Sequence, residues 1–395
     1  MTAVMPAGVE TARDLVGPAL AAAVDRLVPD VRKVAAYHLG LAGPDGALRT
    51  ASAAGLAGNG AAGNGTGGNG AAGIGASGHG AAGHGTDASR AAGEGAVPGN
   101  EAASSRAPGA GKALRPALTL LSARAASAAP ERGVPAAVAV ELVHNFSLLH
   151  DDIMDGDTER RHRPTAWTVY GTGAAILAGD AMLALAHDIL LEDTGPQGVW
   201  AARALSAAVQ RLIAGQGSDL AFEHRNDVSL PECLAMAGDK TAALMACACS
   251  IGAIHVGAPP HLAMGLAAFG AHAGLAFQLT DDLLGIWGAP EVTGKPVRSD
   301  LRARKKSLPV VAALTAGTAE ASELAVLLAR EEALSEEDLA LAARLVEVAG
   351  GKSWTENEAG TQLAAAHRCL ADTSMPDDVR AEFAGIAEFI TARQW

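Results

Sequence analysis

An acidic cluster stands near the middle of the chain, within the stretch Glu141–Thr165, ELVHNFSLLHDDIMDGDTERRHRPT. Its members, Asp151, Asp152 and Asp155, form a DDxxD pattern at the end of an apolar run. On a helix, residues four apart share a face, so Asp151 and Asp155 point the same way. Carboxylates in an apolar setting repel one another and are costly to desolvate, and a hard divalent cation such as Mg²⁺ removes that cost.

Three arginines follow the acidic cluster, at Arg160, Arg161 and Arg163. Guanidinium groups bind phosphate oxygens in a bidentate manner, and Mg²⁺ in proteins is commonly shared between carboxylates and substrate phosphates. The stretch therefore predicts a site for a metal and a diphosphate. A solvated helix end with surface charge pairs is the alternative interpretation of the same residues.

A second acidic pair, Asp281 and Asp282, lies in FQLTDD at the end of another apolar helical pattern. Cations follow again, at Lys295, Arg298, Arg302, Arg304, Lys305 and Lys306. Two such clusters facing each other in a helical bundle would hold several cations over one cavity, and the Ala- and Leu-rich helices would form an apolar pocket. Metal ions, lysines and arginines would stabilise charge on a diphosphate leaving group, and the dry pocket would protect a carbocation from water.

The composition favours helices. The chain has 395 residues, of which 49% are hydrophobic and only 3% aromatic, and alanine is very frequent. Alanine is the best helix former, whereas strands favour β-branched and aromatic residues, so an all-α fold is expected. The net charge of -13 argues against a nucleic-acid-binding protein. The four cysteines lack zinc-ligand spacing and are expected to be buried, reduced thiols of a cytoplasmic protein.

No Asp, Glu, Lys or Arg occurs from Thr241 to Thr280, a stretch long enough to span a membrane. Pro259 and Pro260 divide it, and it is built of alanine and glycine more than of leucine and isoleucine. Two buried core helices and no membrane span are therefore expected. The N-terminal residues have neither the basic nor the apolar region of a signal peptide, which agrees with a cytoplasmic location.

Glycine-rich pentads repeat from Gly58 to Gly85, and the polar, Gly-rich character continues to about Gly109. Such a segment cannot bury enough apolar surface to offset its ordering entropy, so residues 49–109 are expected to be a disordered insertion. A protein partner could dock on residues 55–109. Residues 1–48 are expected to supply an N-terminal helix over about 10–40, and residues 110–395 a single all-α domain. Apolar spacing predicts the helices of this domain at about 114–129, 135–156, 173–193, 198–223, 230–257, 261–288, 305–316, 319–331, 335–349, 352–371 and 377–393.

Five motifs occur in order over about residues 108 to 395: GKALRP, HNFSLLHDDIMD with RR five residues on, DKTAAL, FQLTDD, and GKP…SDL…KKSLP. In combination they resemble the trans-isoprenyl diphosphate synthases, or polyprenyl synthetases. That family has an all-α isoprenoid synthase bundle around a central cavity and is usually a homodimer. The resemblance implies that an allylic diphosphate ionises, the double bond of isopentenyl diphosphate attacks it, and a proton is lost to the released diphosphate.

The resemblance also implies roles for individual residues. Three Mg²⁺ ions are expected on the acidic clusters, at Asp151, Asp152, Asp155, Asp281 and Asp282. The isopentenyl diphosphate site is expected at Lys112, Arg115, His144 and Arg161. The allylic diphosphate site is expected at Arg160, Lys240, Thr241, Gln278, Lys295 and Lys305. The catalytic residues among these are Asp151, Asp155, Arg160, Lys240, Asp281 and Lys295.

Three positions depart from the family pattern. Gly285 stands where a third aspartate is usual, Arg298 where glycine is common, and Ala113 where a basic residue is common. Position 285 therefore offers Asp281 no carboxylate partner four residues on. One alternative to an active synthase is a weakly active or regulatory subunit of a heteromeric synthase. Another is a class I terpene cyclase, whose second metal motif, NDxxSxxxE, is not matched by residues 226–229.

The product length is expected to depend on Phe146, which lies five residues before Asp151 and so about one and a half helical turns deeper in the cavity wall. In the family, a bulky residue there, without an insertion in the first motif, implies chains that stop near C20. Ser147 beside it is small and leaves room. Geranylgeranyl diphosphate is the expected product, with C15 and C25 as alternatives.

Overall fold

Long helices make up nearly all of the regular structure. The structure is a computed structural model, and it describes residues 7–46, 113–161, 163–290 and 296–392, which belong to one unit. The predicted disordered insertion lies outside the described residues. The helices are α1 (Ala7–Val24), α2 (Pro29–His38), α3 (Leu114–Ala125), α4 (Val134–Met154), α5 (Ala166–Tyr170), α6 (Thr172–Leu191), α7 (Pro196–Glu223), α8 (Leu230–Ala237), α9 (Ala243–His255), α10 (Pro260–Trp287), α11 (Ser299–Arg302), α12 (Leu308–Leu314), α13 (Ala319–Leu328), α14 (Glu336–Val348), α15 (Gly351–Ala371) and α16 (Asp377–Thr391).

The core lies where these helices pack against one another. Helix α10 packs along α9 and α15, α4 packs against α6, and α3 packs against α9. Alanines let the helix axes approach closely, and larger side chains fill the spaces between them. The largest fully buried side chains include Leu142, Leu149, Met182, Met245 and Phe269. Each such side chain contributes roughly 1.5–3 kcal/mol to the stability of the fold by leaving water. This packing holds in place the helices that carry the charged residues.

Helix boundaries follow the capping signals in the sequence. Helix α8 begins with a capping box, in which Ser229 accepts from the backbone of Glu232 and the Glu232 side chain accepts in return from Ser229. Helix α16 begins behind Pro376 with two aspartates in its first turn, as predicted. These caps set the positions of the helices without the help of any charged residue of the candidate site.

Several predictions of local structure were wrong. The first predicted helix, 10–40, is two helices, because the chain turns after Val24 and Pro29 opens α2. A two-stranded antiparallel hairpin, β1 (Glu159–Arg160) with β2 (Arg163–Pro164), occurs where no strand was expected. The predicted helix 230–257 contains a π-helical turn, Gly238–Ala242, between α8 and α9. The predicted helix 305–316 is the shorter α12.

Three helical segments are long and apolar enough to cross a membrane by length and composition alone: Thr172–Leu191, Leu230–His255 and Pro260–Trp287. Between 44% and 61% of their most apolar windows is buried inside the protein. The second and third contain the uncharged stretch for which core helices were predicted. The absence of a membrane span stays a prediction.

Candidate diphosphate and metal site

The main cavity lies between the end of α4, α7, the π-helical turn, α10 and the segment before α12. Its volume is about 210 Å³. Among the described lining residues, the carboxylates are Asp151, Asp155, Asp157, Asp219, Asp281 and Asp282, and the cations are Arg160, Lys240 and Lys305. Thr241 and Gln278 also line it. The structure therefore brings both acidic clusters and most of the predicted allylic residues to one space.

Asp151 and Asp155 reach this cavity from the end of α4. The Asp155 N–H donates to the carbonyl of Asp151 (2.8 Å), so the helical path continues through both residues. Burial, opposed by Lys240 and reinforced by the neighbouring Asp155, raises the pKa of Asp151 to about 6. Two carboxylates in a partly dry site, one of them reluctant to ionise, favour the arrival of a cation.

Asp152, although it lies between these two residues in the sequence, is only 1% exposed. One carboxylate oxygen accepts from Nε of Arg160 at 2.6 Å, and the other, Oδ2, has no hydrogen-bond partner among the described residues. The ion pair holds Arg160 between the main cavity and a second cavity, both of which it lines. Asp152 therefore orients an arginine in this structure, and its predicted role as a metal ligand stays a prediction.

The hairpin carries the arginines and is held by α2. Arg161 turns the chain with a left-handed φ of 54°. The guanidinium of Arg163 lies 4.4 Å from the centre of the Tyr37 ring, and the Tyr37 hydroxyl donates to the carbonyl of Pro164 (2.8 Å). A cation over an aromatic face and a hydrogen bond across the hairpin restrict its orientation. Helix α2 thus fixes the hairpin on which Arg160 and Arg161 lie.

The second cavity is smaller than the main one and has one carboxylate, Asp152, among its described lining residues, against six in the main cavity. Its described lining is Tyr37, His38, Asp152, Arg160, Arg161, Arg163, Pro164, Thr165 and Ala166. Burial, together with the charges of Arg160, Arg161 and Arg163, lowers the pKa of His38 to about 3. Three guanidinium groups around one cavity can bind the oxygens of an anion.

Arg115 and His144, both predicted isopentenyl residues, contact each other, with Nη1 of Arg115 donating to Nε2 of His144 at 3.2 Å. Burial, followed by the charges of Arg115 and Arg161, lowers the pKa of His144 well below its ordinary value, so this histidine is neutral. Buried Glu141 has a raised pKa, which Arg115 and Arg161 oppose. The predicted isopentenyl residues that the structure describes are therefore grouped around one charge network.

Lys240 and Thr241 enter the main cavity from the π-helical turn. Lys240 pairs with Asp219 of α7 (2.5 Å), and Thr241 donates to the side-chain carbonyl of Gln278 on α10 (2.5 Å). A Cβ at Gly215 of α7 would come within 2.3 Å of the backbone nitrogen of Lys240, so the backbones of α7 and the π-helical turn approach closely. Single π-helical turns of this kind often occur at functional sites.

Asp281 and Asp282 lie a turn and a half before the end of α10 rather than at its end. Asp281 is exposed and lines the cavity. Asp282 is buried and accepts from Gln278 (2.7 Å) and from the backbone N–H of Leu308 (2.9 Å). Burial raises the pKa of Asp282 to about 7, and Lys305 opposes that change. Asp282 thus joins α10 to the start of α12, and its predicted role at the metal stays a prediction.

The space for a side chain at Gly285, where a third aspartate is usual, is filled by another residue. A Cβ at Gly285 would come within 2.2 Å of Oδ2 of Asp300 on α11, so the Asp300 carboxylate occupies the space above Gly285. Asp300 and Asp282 raise the pKa of Lys305 well above its ordinary value, against the effect of burial. A carboxylate therefore stands close to position 285 although the sequence has glycine there.

The other two departures from the family pattern lie in left-handed backbone. Arg298 has a φ of 61° and Ala113 a φ of 47°. Glycine adopts this conformation without steric cost, which explains why glycine suits position 298. Arg298 and Ala113 each bear a strain on the order of 1 kcal/mol.

Several residues of the site were missed or are not described. Lys112 and Lys295 lie outside the described residues. Asp219, Asp300 and His38 were not predicted. The nearest charged residue to Asp219 in α7 is Glu223, four residues on, and His38 is the last residue of α2, so neither belongs to a cluster that the sequence makes visible. The SDL segment was part of the quoted pattern, but only the fold brings Asp300 to Gly285.

The predicted floor residue Phe146 is 6% exposed and faces the ring of His150, with ring centres 4.8 Å apart. Ser147 is 8% exposed, and its hydroxyl donates to the carbonyl of His144 (2.9 Å). Both lie on α4 below Asp151. Neither is among the described residues that line the main cavity, and their role in product length stays a prediction.

The main cavity suits hard divalent cations. Its six carboxylates exceed its three cations, and carboxylate oxygens are the ligands that hard divalent cations prefer. Among the described residues no three acidic, histidine or cysteine side chains converge on one point. An ion here would take one or two carboxylates, with water and phosphate oxygens completing its shell, which is the usual arrangement for Mg²⁺.

Comparisons with known proteins agree with this site. The family model described as polyprenyl synthetase matches residues 100–346. A (2E,6E)-farnesyl diphosphate synthase of Mycobacterium tuberculosis is 51% identical over 287 residues, or 72% of this chain and 80% of that protein. A geranylgeranyl diphosphate synthase of the same organism is 44% identical over 277 residues, or 70% of this chain and 79% of that protein.

A solved polyprenyl synthetase from Streptomyces coelicolor A3(2) superposes with a TM-score of 0.80 at 45% identity, covering 97% of this chain and 98% of that one. The match of fold, motifs and identity extends across the helices that carry both acidic clusters. The chain belongs to the polyprenyl synthetase family of trans-prenyltransferases.

Proposed function

We propose that this protein condenses isopentenyl diphosphate with an allylic diphosphate and releases a short-chain trans-prenyl diphosphate, chiefly geranylgeranyl diphosphate. The observation that carries the proposal is the pair of adjoining cavities. One contains carboxylates from both acidic clusters, the other contains three arginines, and Arg160 lines both. This arrangement supports two adjoining diphosphate sites that share Arg160.

The allylic diphosphate is assigned to the main cavity. Arg160, Lys240 and Lys305, with Thr241 and Gln278, would bind its oxygens. Asp151, Asp155 and Asp281 would hold Mg²⁺, which when bound neutralises the charge that develops on the leaving diphosphate. Lys240 would exchange its partner Asp219 for phosphate oxygens, and Lys295 is proposed to join this group.

Isopentenyl diphosphate is assigned to the second cavity and the adjoining network. Arg115, His144 and Arg161 would bind its diphosphate together with Lys112. A neutral His144 can donate one ring hydrogen to phosphate while the other nitrogen accepts from Arg115. The short carbon chain would then extend toward the allylic carbon in the main cavity.

The product length is assigned to Phe146. A growing chain that starts at the carboxylates and extends along α4 would meet this ring, which supports C20 as the main product. Farnesyl diphosphate is the second candidate, because the relative with 51% identity is named a farnesyl diphosphate synthase.

The experiment is incubation of the purified protein with isopentenyl diphosphate, Mg²⁺ and either dimethylallyl, geranyl or farnesyl diphosphate, followed by product chromatography. A C20 diphosphate is the expected main product. A C15 product would favour the second candidate, and no diphosphate product from any primer would contradict the synthase function. Phe146→Ala is expected to lengthen the product, and unchanged length would contradict the assignment of the floor.

A homodimer is also proposed. Neighbouring helices α6 and α7 expose large apolar side chains, at Ile176, Leu177, Leu191, Val199, Trp200 and Ile213. Apolar side chains concentrated on one face are typical of protein interfaces. Light scattering is expected to give twice the chain mass for the wild type and less for Leu177→Glu. Val326→Glu, at an equally exposed position of α13, is the matched control; a monomeric wild type would contradict the proposal.

A further inference from the structure

His150 fills the space between Phe146 and α6. It lies four residues after Phe146 on α4, and the two rings meet edge to face with their centres 4.8 Å apart. On its other side, the Nε2 atom of His150 lies 3.1 Å from the carbonyl oxygen of Ile176 on α6. Because a carbonyl only accepts, Nε2 carries the hydrogen and donates it.

The approach of His150 to α6 depends on a glycine. A Cβ at Gly179 would come within 2.3 Å of Nε2 and 2.6 Å of Cδ2 of His150. The ring therefore lies directly over the backbone of α6, where no larger residue leaves room for it. Asp180, next along α6, has a carboxylate oxygen 3.9 Å from Nε2. The imidazole is thus held from one side by α6 and contacts the ring of Phe146 on the other.

In this arrangement His150 restricts the position of the Phe146 ring and does not itself contact the substrate. Edge-to-face ring pairs favour one relative orientation, so Phe146 has a preferred rotamer as long as the imidazole is in place. Without the imidazole, the space beside α6 would be free for the phenyl ring to enter. Ring movement in that direction, toward α6, would take it out of the path that the proposed function assigns to the growing chain.

We propose that His150 is a positioning residue for product length, which keeps the ring of Phe146 in the path of the growing prenyl chain by filling the gap to α6. The proposal rests on the proposed function, in which Phe146 is the cavity floor. It adds that the length of the product is set by three residues on two helices, Phe146, His150 and Gly179.

The test compares product lengths after complete extension with excess isopentenyl diphosphate. The measured quantity is the ratio of the product that is one isoprene unit longer to the main wild-type product. In His150→Ala this ratio is expected to rise roughly two- to tenfold, the range expected from loss of one aromatic pair. His150→Gln keeps a donor for the Ile176 carbonyl but lacks the ring, so it is expected to change length in the same direction. His187→Ala, about two turns after Gly179 on α6 and in contact with Ser206 of α7, is the matched control and should keep the wild-type distribution.

Gly179→Ala tests the opposite direction. The added methyl group would push the imidazole toward Phe146, so a shift to shorter product is expected. Length distributions are ratios within one reaction, so a lower rate or lower stability of a variant does not by itself move them. Thermal unfolding of each variant identifies any that fails to fold.

The double variant separates this proposal from the one on which it rests. If Phe146→Ala lengthens the product, His150→Ala should add little in its presence, because there is no ring left to position. Wild-type product lengths in both His150 variants, combined with longer product in Phe146→Ala, would overturn the role of His150 alone. Unchanged length in Phe146→Ala would overturn the floor assignment instead. Equal lengthening by His150→Ala with and without Phe146 would also overturn the positioning role.

Discussion

The two acidic clusters look alike in the sequence but are built differently. The cluster on α4 lies at a helix end and presents two carboxylates, Asp151 and Asp155, to the main cavity. The cluster on α10 lies inside a helix and presents Asp281 as its exposed carboxylate. In each pair the second aspartate is buried: Asp152 binds Arg160, and Asp282 binds Gln278 and the start of α12.

In both clusters, therefore, the first aspartate of the pair faces the main cavity and the second forms contacts with the surrounding structure. On α4 the buried partner orients Arg160, which lines both cavities. On α10 the buried partner fixes the segment that carries Lys305. At Gly285, where the family usually has a third aspartate, the space for a side chain is filled by the Asp300 carboxylate of α11. Asp300 is not among the described residues that line the main cavity, so the second cluster presents fewer carboxylates to it than the first.

The largest expected effect follows from replacing the exposed member of the second pair. Asp281→Asn should lower kcat/KM about a thousandfold, because a metal ligand supplies several kcal/mol of charge stabilisation in the transition state. Its unfolding temperature should change little. Steady-state kinetics and thermal unfolding check this, with exposed Asp372→Asn at the end of α15 as control. An active Asp281→Asn enzyme would show that the second cluster does not bind the metal.

Restoring the family pattern at position 285 should harm the protein. Gly285→Asp forces a Cβ and a carboxylate onto Asp300, an overpacked contact between like charges that costs about 3 kcal/mol. The unfolding temperature and the activity should both fall, and the double variant Gly285→Asp with Asp300→Gly should recover them. A Gly285→Asp protein as stable as the wild type would mean that the Asp300 carboxylate does not fill the space at position 285.

The buried member of the second pair should affect stability more than chemistry. Asp282→Asn places an amide hydrogen opposite either the Gln278 amide or the Leu308 N–H, leaving one donor unpaired at a cost of about 1–3 kcal/mol. Calorimetric unfolding of the metal-free protein is expected to show this loss, whereas Asp281→Asn provides the neighbouring control. Equal stability of the two variants would contradict the claim that Asp282 has a structural role that Asp281 lacks.

The smallest expected effect concerns pH. Asp151 has a pKa raised to about 6 in the metal-free protein, so below pH 6 a proton competes with Mg²⁺ for its carboxylate. The Mg²⁺ concentration for half-maximal binding should therefore rise about tenfold for each pH unit below 6 and be nearly constant above 7. Calorimetric titration between pH 5 and 8 measures this dependence, and a flat profile would contradict the role of Asp151.

Much of the fold could be predicted because its signals are local. The long apolar helices and the Ser229–Glu232 capping box have the spacing of helical faces and caps. The hairpin could not be predicted, because two-residue strands are too short to show alternation. The π-helical turn at Lys240 also has no pattern of its own, since it depends on the close approach of α7 at Gly215.

The site could be predicted where its residues are clustered in sequence. Asp151, Asp155 and Asp281 were found in this way and do line one cavity. Asp219 and Asp300 were missed because each reaches the site alone, from α7 and α11. The different roles of Asp152 and Asp282 could not be predicted either, because burial and partners depend on which way each helix faces after packing.

A crystal structure with Mg²⁺ and a farnesyl diphosphate analogue tests the central claim most directly. In this analogue, sulfur replaces the oxygen between the prenyl carbon and the first phosphorus, so that the diphosphate does not leave. The account predicts ions bound by Asp151 and Asp155 on one side and by Asp281 on the other, all contacting one diphosphate, with Asp282 still bound to Leu308. Ions at the α4 cluster alone, or a diphosphate bound without contact to Arg160 and Lys240, would contradict it.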